Sequence, residues 1–148
     1  QMCIRDRLQA SSRNEGVCLA ILEIDQLSQI RQEQGLDIAN EILIGMQRRL
    51  RRSIRPTDAV ARLESDHFAV LMHFTDMNNY KPSSIERLRD SINQRPFKTS
   101  ANDLKISASI GAKYYRGDEE ILSVKEMLKK TFNKLEEATS MGHNSIAY

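Results

Sequence analysis

The residues best equipped for chemistry lie in one stretch, RPTDAVARLESDHFAVLM, at positions 55–72. Arg55 and Asp58 form an Arg-x-x-Asp; the five residues AVARL follow, then Glu64-Ser65-Asp66-His67. An arginine can donate to O6 and N7 of guanine or pair with phosphate. An aspartate can accept from the guanine N–H groups that a guanidinium cannot serve. The competing reading is a surface ion pair worth at most about 1 kcal/mol. The bare pattern recurs at Arg87-Leu-Arg-Asp90, so by itself it carries little weight. The four residues 64–67 join two short apolar runs and predict a tight turn, yet they contain no glycine, the usual residue where φ is positive.

Other candidates carry less chemistry. Arg48, Arg49, Arg51, Arg52 and Arg55 form a basic cluster, read as a solvated helix face that could also help hold a ligand's phosphates. His67, His73 and His143 lack metal-ligand spacing. His67 reads as an exposed turn residue, with a metal ligand beside Asp66 as the alternative, and His73 as a strand-end residue without a role. Asp25 alternates with Glu23 and reads as structural. No Ser, Cys or Lys shows a partnering base.

The elements that must position these residues follow from periodicity. The apolar run 17–24 suits a buried strand. Residues 27–34 predict one or two helical turns, closed by Gly35. Asp37 is the expected N-cap of a helix whose apolar positions Ile38, Ile42, Met46, Leu50 and Ile54 recur every four residues until Pro56. A hairpin over 59–63 and 67–74 comes next. A helix over 82–92, a strand over 106–113 and a helix over 124–138 follow. That last helix places Val124, Leu128, Phe132 and Leu135 on one face, and Gly142 stops it. A last strand spans 145–148. The order β-α-α-β-β-α-β-α-β predicts a central sheet with helices packed on it.

Composition bounds the rest. The 148 residues are 40% hydrophobic and 28% charged with net charge +2, an ordinary globular chain too weakly charged to argue for nucleic acid or a membrane surface. Aromatics are only 5%, which argues against an RNA-stacking platform. No apolar run reaches the roughly 18 residues of a membrane span, and no signal peptide is visible. Cys3 and Cys18 make no disulfide framework, Cys18 reads as a core residue, and a cytoplasmic setting is expected. The first residue is Gln, which predicts a fragment of a longer chain, and the opening residues 1–7 need not belong to the fold.

Taken in order, ILEIDQLSQI, GLDIANEILIGMQRRLR, RPTDAVARLESDHFAVL, ISASIGA and MGHNSIAY resemble the GGDEF domain of diguanylate cyclases. The likeness runs from about Leu8 to the end, so residues 1–148 are expected to form a single domain of this kind. The resemblance implies an α/β (α+β) palm fold with a mostly antiparallel five-stranded sheet. In that family two GTP molecules condense to cyclic di-GMP at a dimer interface, with metal ions on carboxylates and glycine backbone near the phosphates. The metal carboxylates fall on Glu23 and Asp66. The two turn glycines fall on Glu64 and Ser65, and a further acid falls on His67. The guanine-reading positions fall on Arg31 and Asn40, and the phosphate-binding ones on Ser28, Thr139 and His143. Arg31 has no acceptor to offer guanine. Glu64 sets a negative charge where triphosphate would lie; at 4 Å and an effective dielectric near 20 that repulsion is on the order of 4 kcal/mol.

Arg55 and Asp58, by contrast, keep the spacing of the family's inhibitory site for cyclic di-GMP, and Arg87, with Arg89 beside it, matches that site's second arginine. The expectation is therefore a degenerate, non-catalytic signalling module that binds cyclic di-GMP through Arg55, Asp58 and Arg87 and regulates an attached EAL or sensor domain, or a partner. It would need no cofactor, with no catalytic residues expected at positions 64–67. The alternatives are weak cyclase activity, with Mg²⁺ on Glu23 and Asp66, and a ligand-free dimerisation domain. No nucleic acid and no direct membrane contact are expected.

Overall fold

A computed structural model describes residues 15–76, 78, 80–116 and 123–148. Cys3, the opening 1–7 and the expected start at Leu8 lie outside the described residues. The apolar run forms β1, Gly16–Ile24, which sits at the centre of the sheet with almost every side chain buried. Helix α1, Leu27–Gln34, and helix α2, Leu36–Ser53, follow. Gly35 lies between them at φ 94°, a value that favours glycine. Asp37 is not the N-cap: α2 begins one residue before it, so its carboxylate sits in the first turn, where the helix dipole favours an acid.

Strand β2, Ala59–Arg62, and strand β3, His67–Phe74, form the expected hairpin. Helix α3, Ser83–Asn93, then leads to a small hairpin that periodicity did not reveal, β4, Phe97–Lys98, and β5, Asp103–Leu104. Strand β6, Ala108–Arg116, starts and ends later than expected. Helix α4, Val124–Met141, and the short β7, Ile146–Ala147, complete the chain. The five-stranded sheet runs β2-β3-β1-β6-β7 and is antiparallel except for the β6–β7 pair.

One core lies between the sheet and helices α2 and α3. Ile38, Ile42, Met46 and Leu50 of α2 are buried there with Ile85, Leu88 and Ile92 of α3. Cys18 is fully buried in the same core as a free thiol, and burial raises its pKa to about 12. The opposite face carries α4, where the buried stripe is Met127, Thr131, Leu135 and Ala138. Val124, Leu128 and Phe132, expected to face the core, lie beside that stripe and are only partly buried. Thr131 hid the true face because it is polar. Its hydroxyl is satisfied by donating to Met127 O at 2.8 Å and by lying 3.2 Å from the Tyr115 hydroxyl. Gly111 of β6 lets α4 approach closely: a Cβ there would stand 2.1 Å from Leu135 N. The glycine of ISASIGA is thus required by packing. Among the described residues no helix is long and apolar enough to cross a membrane.

Candidate functional site

The sheet positions two groups of polar residues, one at each end of the β2–β3 hairpin. At its tip, residues Glu64–Asp66 form a single 3-10 turn, and Leu63 N–H donates to His67 O at 2.8 Å. Ser65 and Asp66 take φ of 58° and 63°. This answers how the turn closes without glycine: two side-chain-bearing residues accept the left-handed conformation, which Asp tolerates better than most.

Asp66 is tied down by two arginines. Arg31 of α1 donates to Oδ2 at 2.6 Å, and Arg62 of β2 donates to Oδ1 at 3.2 Å. The Arg31 hydrogen bond, helped by Arg62 and opposed by burial, holds the Asp66 carboxyl below its ordinary value of 3.8. Arg31, unable to accept from guanine, instead uses its donors on a carboxylate. Glu23 is nearly half exposed, and its Oε1 lies 3.5 Å from His67 Nε2. His67 is not the exposed turn residue expected. Its ring stacks edge-on against Phe132 at 5.2 Å and its Nδ1 lies 3.2 Å from Glu64 O.

A cleft of about 340 Å³ opens beside this tip. Glu23, Ser28, Arg31, Asp66, Thr139 and His143 line it, so the structure brings these expected positions together. Asn40 is exposed on α2 and is not part of the lining. Asp25, read as structural, anchors the cleft floor. It accepts from Ser107 Oγ at 2.6 Å, Ser109 Oγ at 2.7 Å and Asn144 N at 2.7 Å, which ties β1 to β6 and to the turn after α4. Among the described residues no three His, Cys, Asp or Glu side chains converge as a metal site.

The base of the hairpin is built differently. Asp58 is buried, and its carboxylate accepts from Arg55 N at 3.0 Å, Arg55 Nε at 3.1 Å, Arg55 Nη2 at 3.0 Å and His73 N at 3.2 Å. Arg55 Nη2 also donates to His73 O at 2.7 Å, and the guanidinium lies 4.9 Å from the centre of the Phe74 ring. His73, expected to have no role, therefore contributes its backbone N–H and C=O to this lock. The Arg55 side chain remains about half exposed while that of Asp58 is only 3% exposed. Asp58, with four N–H groups on its oxygens, fixes Arg55, and among the described residues none accepts from Arg55 Nη1. Arg87 is exposed on α3 and forms no hydrogen bond or ion pair with another described residue, so nothing yet joins it to Arg55. Arg89 pairs with its neighbour Asp90 at 3.2 Å.

Sequence reasoning missed Arg62, the second clamp on Asp66, although its i,i+4 spacing across the turn was a readable signal. Residues 3–145 match the family described as diguanylate cyclase, GGDEF domain. The chain belongs to the GGDEF-domain family. Among curated relatives, the cyclic di-GMP phosphodiesterase NbdA of Pseudomonas aeruginosa is 27% identical over 136 residues, covering 92% of this chain and 17% of that protein. The GGDEF domain of PA1120 (YfiN or TpbB) from Pseudomonas aeruginosa shares the fold with a TM-score of 0.86 at 20% identity, over 97% of this chain and 89% of that one. The GGDEF domain of DgcB from Caulobacter crescentus, solved in complex with c-di-GMP, has a TM-score of 0.75 at 20% identity, over 90% and 77% of the two chains. The chain spans less than a third of the curated relatives it first matches, 17% of NbdA and 30% of the probable diguanylate cyclase DgcT of Escherichia coli.

Proposed function

We propose that this GGDEF domain is a non-catalytic signalling module, a receptor for cyclic di-GMP at the base of its hairpin that reports to an attached or partner domain. The observation that carries the non-catalytic half is the double clamp of Arg31 and Arg62 on Asp66. A carboxylate held by two guanidinium groups is a poor ligand for Mg²⁺, which demands well-placed oxygens in near-ideal octahedral geometry. With His67 in the place of a further acid and Glu23 turned to it, the residues present do not fit a catalytic Mg²⁺ pair. Ser65 and Glu64 also put side chains where a phosphate cradle needs bare backbone.

The receptor half rests on the pre-set Arg55. Its guanidinium is held by both oxygens of Asp58 while the side chain stays about half exposed. Bidentate reading of guanine then requires Arg55 to exchange its bond to His73 O for guanine O6 or N7. Arg87 would reach the ligand's phosphates. The DgcB complex supports the ligand class by fold likeness.

A second reading has its own observation. The saturation of Asp58 suits a lock that only pins the end of α2 to β3, in a domain without ligand. Calorimetric titration with cyclic di-GMP separates the two. The receptor reading predicts saturable heat in the wild type and about tenfold weaker binding or none in Arg55→Ala. Absence of heat in the wild type leaves the lock reading standing.

A further inference from the structure

The arginine run of α2 is used by neither end of the hairpin, and the structure gives it a second purpose. Arg49 turns inward. Its guanidinium donates to Ile92 O at 2.7 Å, Arg95 O at 2.5 Å and Pro96 O at 3.1 Å, and lies 3.7 Å from the centre of the Phe97 ring. It thereby caps the orphan carbonyls at the end of α3 and fixes the segment leading into β4. That fixation draws cations from three places in the sequence into one cleft of about 760 Å³. Arg48 and Arg52 come from one face of α2, Arg95 follows α3, and Lys98 lies on β4.

All four of these side chains belong to exposed residues, and none forms an ion pair with a described residue. Asp103 is the one acid in the lining. Burial, and after it the neighbouring Arg95 and Arg52, lower the pKa of Arg49. Five cations therefore share this cleft with a single acid, in a chain whose net charge is only +2. A concave cleft with convergent guanidinium forks fits phosphate oxygens, which arginine pairs bidentately. Four cations spread over three elements exceed what one phosphate can contact. The concave shape suits a compact soluble anion better than an extended strand or a flat bilayer.

We propose that the cleft between α2, the end of α3 and the β4–β5 hairpin binds a soluble small molecule carrying two or more clustered phosphate groups, through Arg48, Arg52, Arg95 and Lys98. The site is separate from Arg55 and does not depend on the receptor reading. Arg95 holds Arg49 through its carbonyl, so truncating the Arg95 side chain leaves that cap in place.

The test is calorimetry on the whole 148-residue chain with inorganic tripolyphosphate in magnesium-free buffer. The expected result is saturable one-to-one binding that weakens as salt is added. Arg55→Ala retains it, and the Arg52→Ala/Arg95→Ala double variant loses about tenfold or more in affinity. Lys98→Ala, a change at an exposed position, gives a smaller loss, and circular dichroism of each variant matches the wild type. Four results would overturn the proposal: no heat in the wild type, equal affinity in the double variant, equal affinity for orthophosphate, or co-sedimentation with phosphatidylglycerol vesicles while tripolyphosphate gives no heat.

Discussion

The two ends of the β2–β3 hairpin each join an aspartate to arginine, and solvent makes them different devices. At the base, Asp58 is 3% exposed in its side chain and its oxygens accept four N–H groups, two of them from the main chain. At the tip, Asp66 is 29% exposed and, among the described residues, accepts from two guanidinium groups alone. Breaking the base leaves partly buried donors without their acceptor. Breaking the tip leaves groups that water can solvate. The base therefore contributes to stability, whereas the tip pair contributes little and instead occupies a carboxylate.

The largest effect is expected at the base. Asp58→Ala strands the N–H groups of Arg55 and His73 and should cost roughly 2–4 kcal/mol, read as a lower midpoint in urea unfolding. A loss equal to that of an exposed-site control would break the distinction. Next in size is a gain at the tip. Ser65 stands at φ 58°, so Ser65→Gly should stabilise by about 1 kcal/mol and raise the melting temperature by a few degrees. The smallest effect is at Asp66. Asp66→Asn should change stability at neutral pH by less than about 1 kcal/mol. Because the folded carboxyl titrates below 3.8, what the group contributes is present above that pH and is lost as pH falls through the folded value. Wild type and Asp66→Asn should therefore converge in acid, as followed by melting temperature against pH; a gap that widens in acid would contradict the assignment.

The sequence revealed what depends on local period and spacing. The every-fourth apolar residues of α2 are buried from Ile38 to Leu50, and the Arg55–Asp58 spacing marked a real pair. The α4 face was misread because Thr131 fills a core position with a hydroxyl that two internal partners satisfy. The β4–β5 hairpin has two residues per strand, too few to show alternation. The tip clamp and the Asp25 staple join residues as far apart as Arg31 and Asp66 or Asp25 and Asn144, and no period links such pairs. Family likeness pointed to Glu23 and Asp66, which line one cleft, and to Asn40, which does not, and only the folded structure showed that Arg31 and Arg62 hold Asp66.

The central claim is that the tip cannot seat and activate a metal-bound triphosphate. Incubation of the wild-type chain with GTP and Mg²⁺, with chromatographic detection of cyclic di-GMP, addresses it directly. The clamp on Asp66 predicts no product above a protein-free blank, and Arg31→Ala alone should not create activity, since Glu64, Ser65 and His67 remain. Sustained turnover by the wild type would contradict the account.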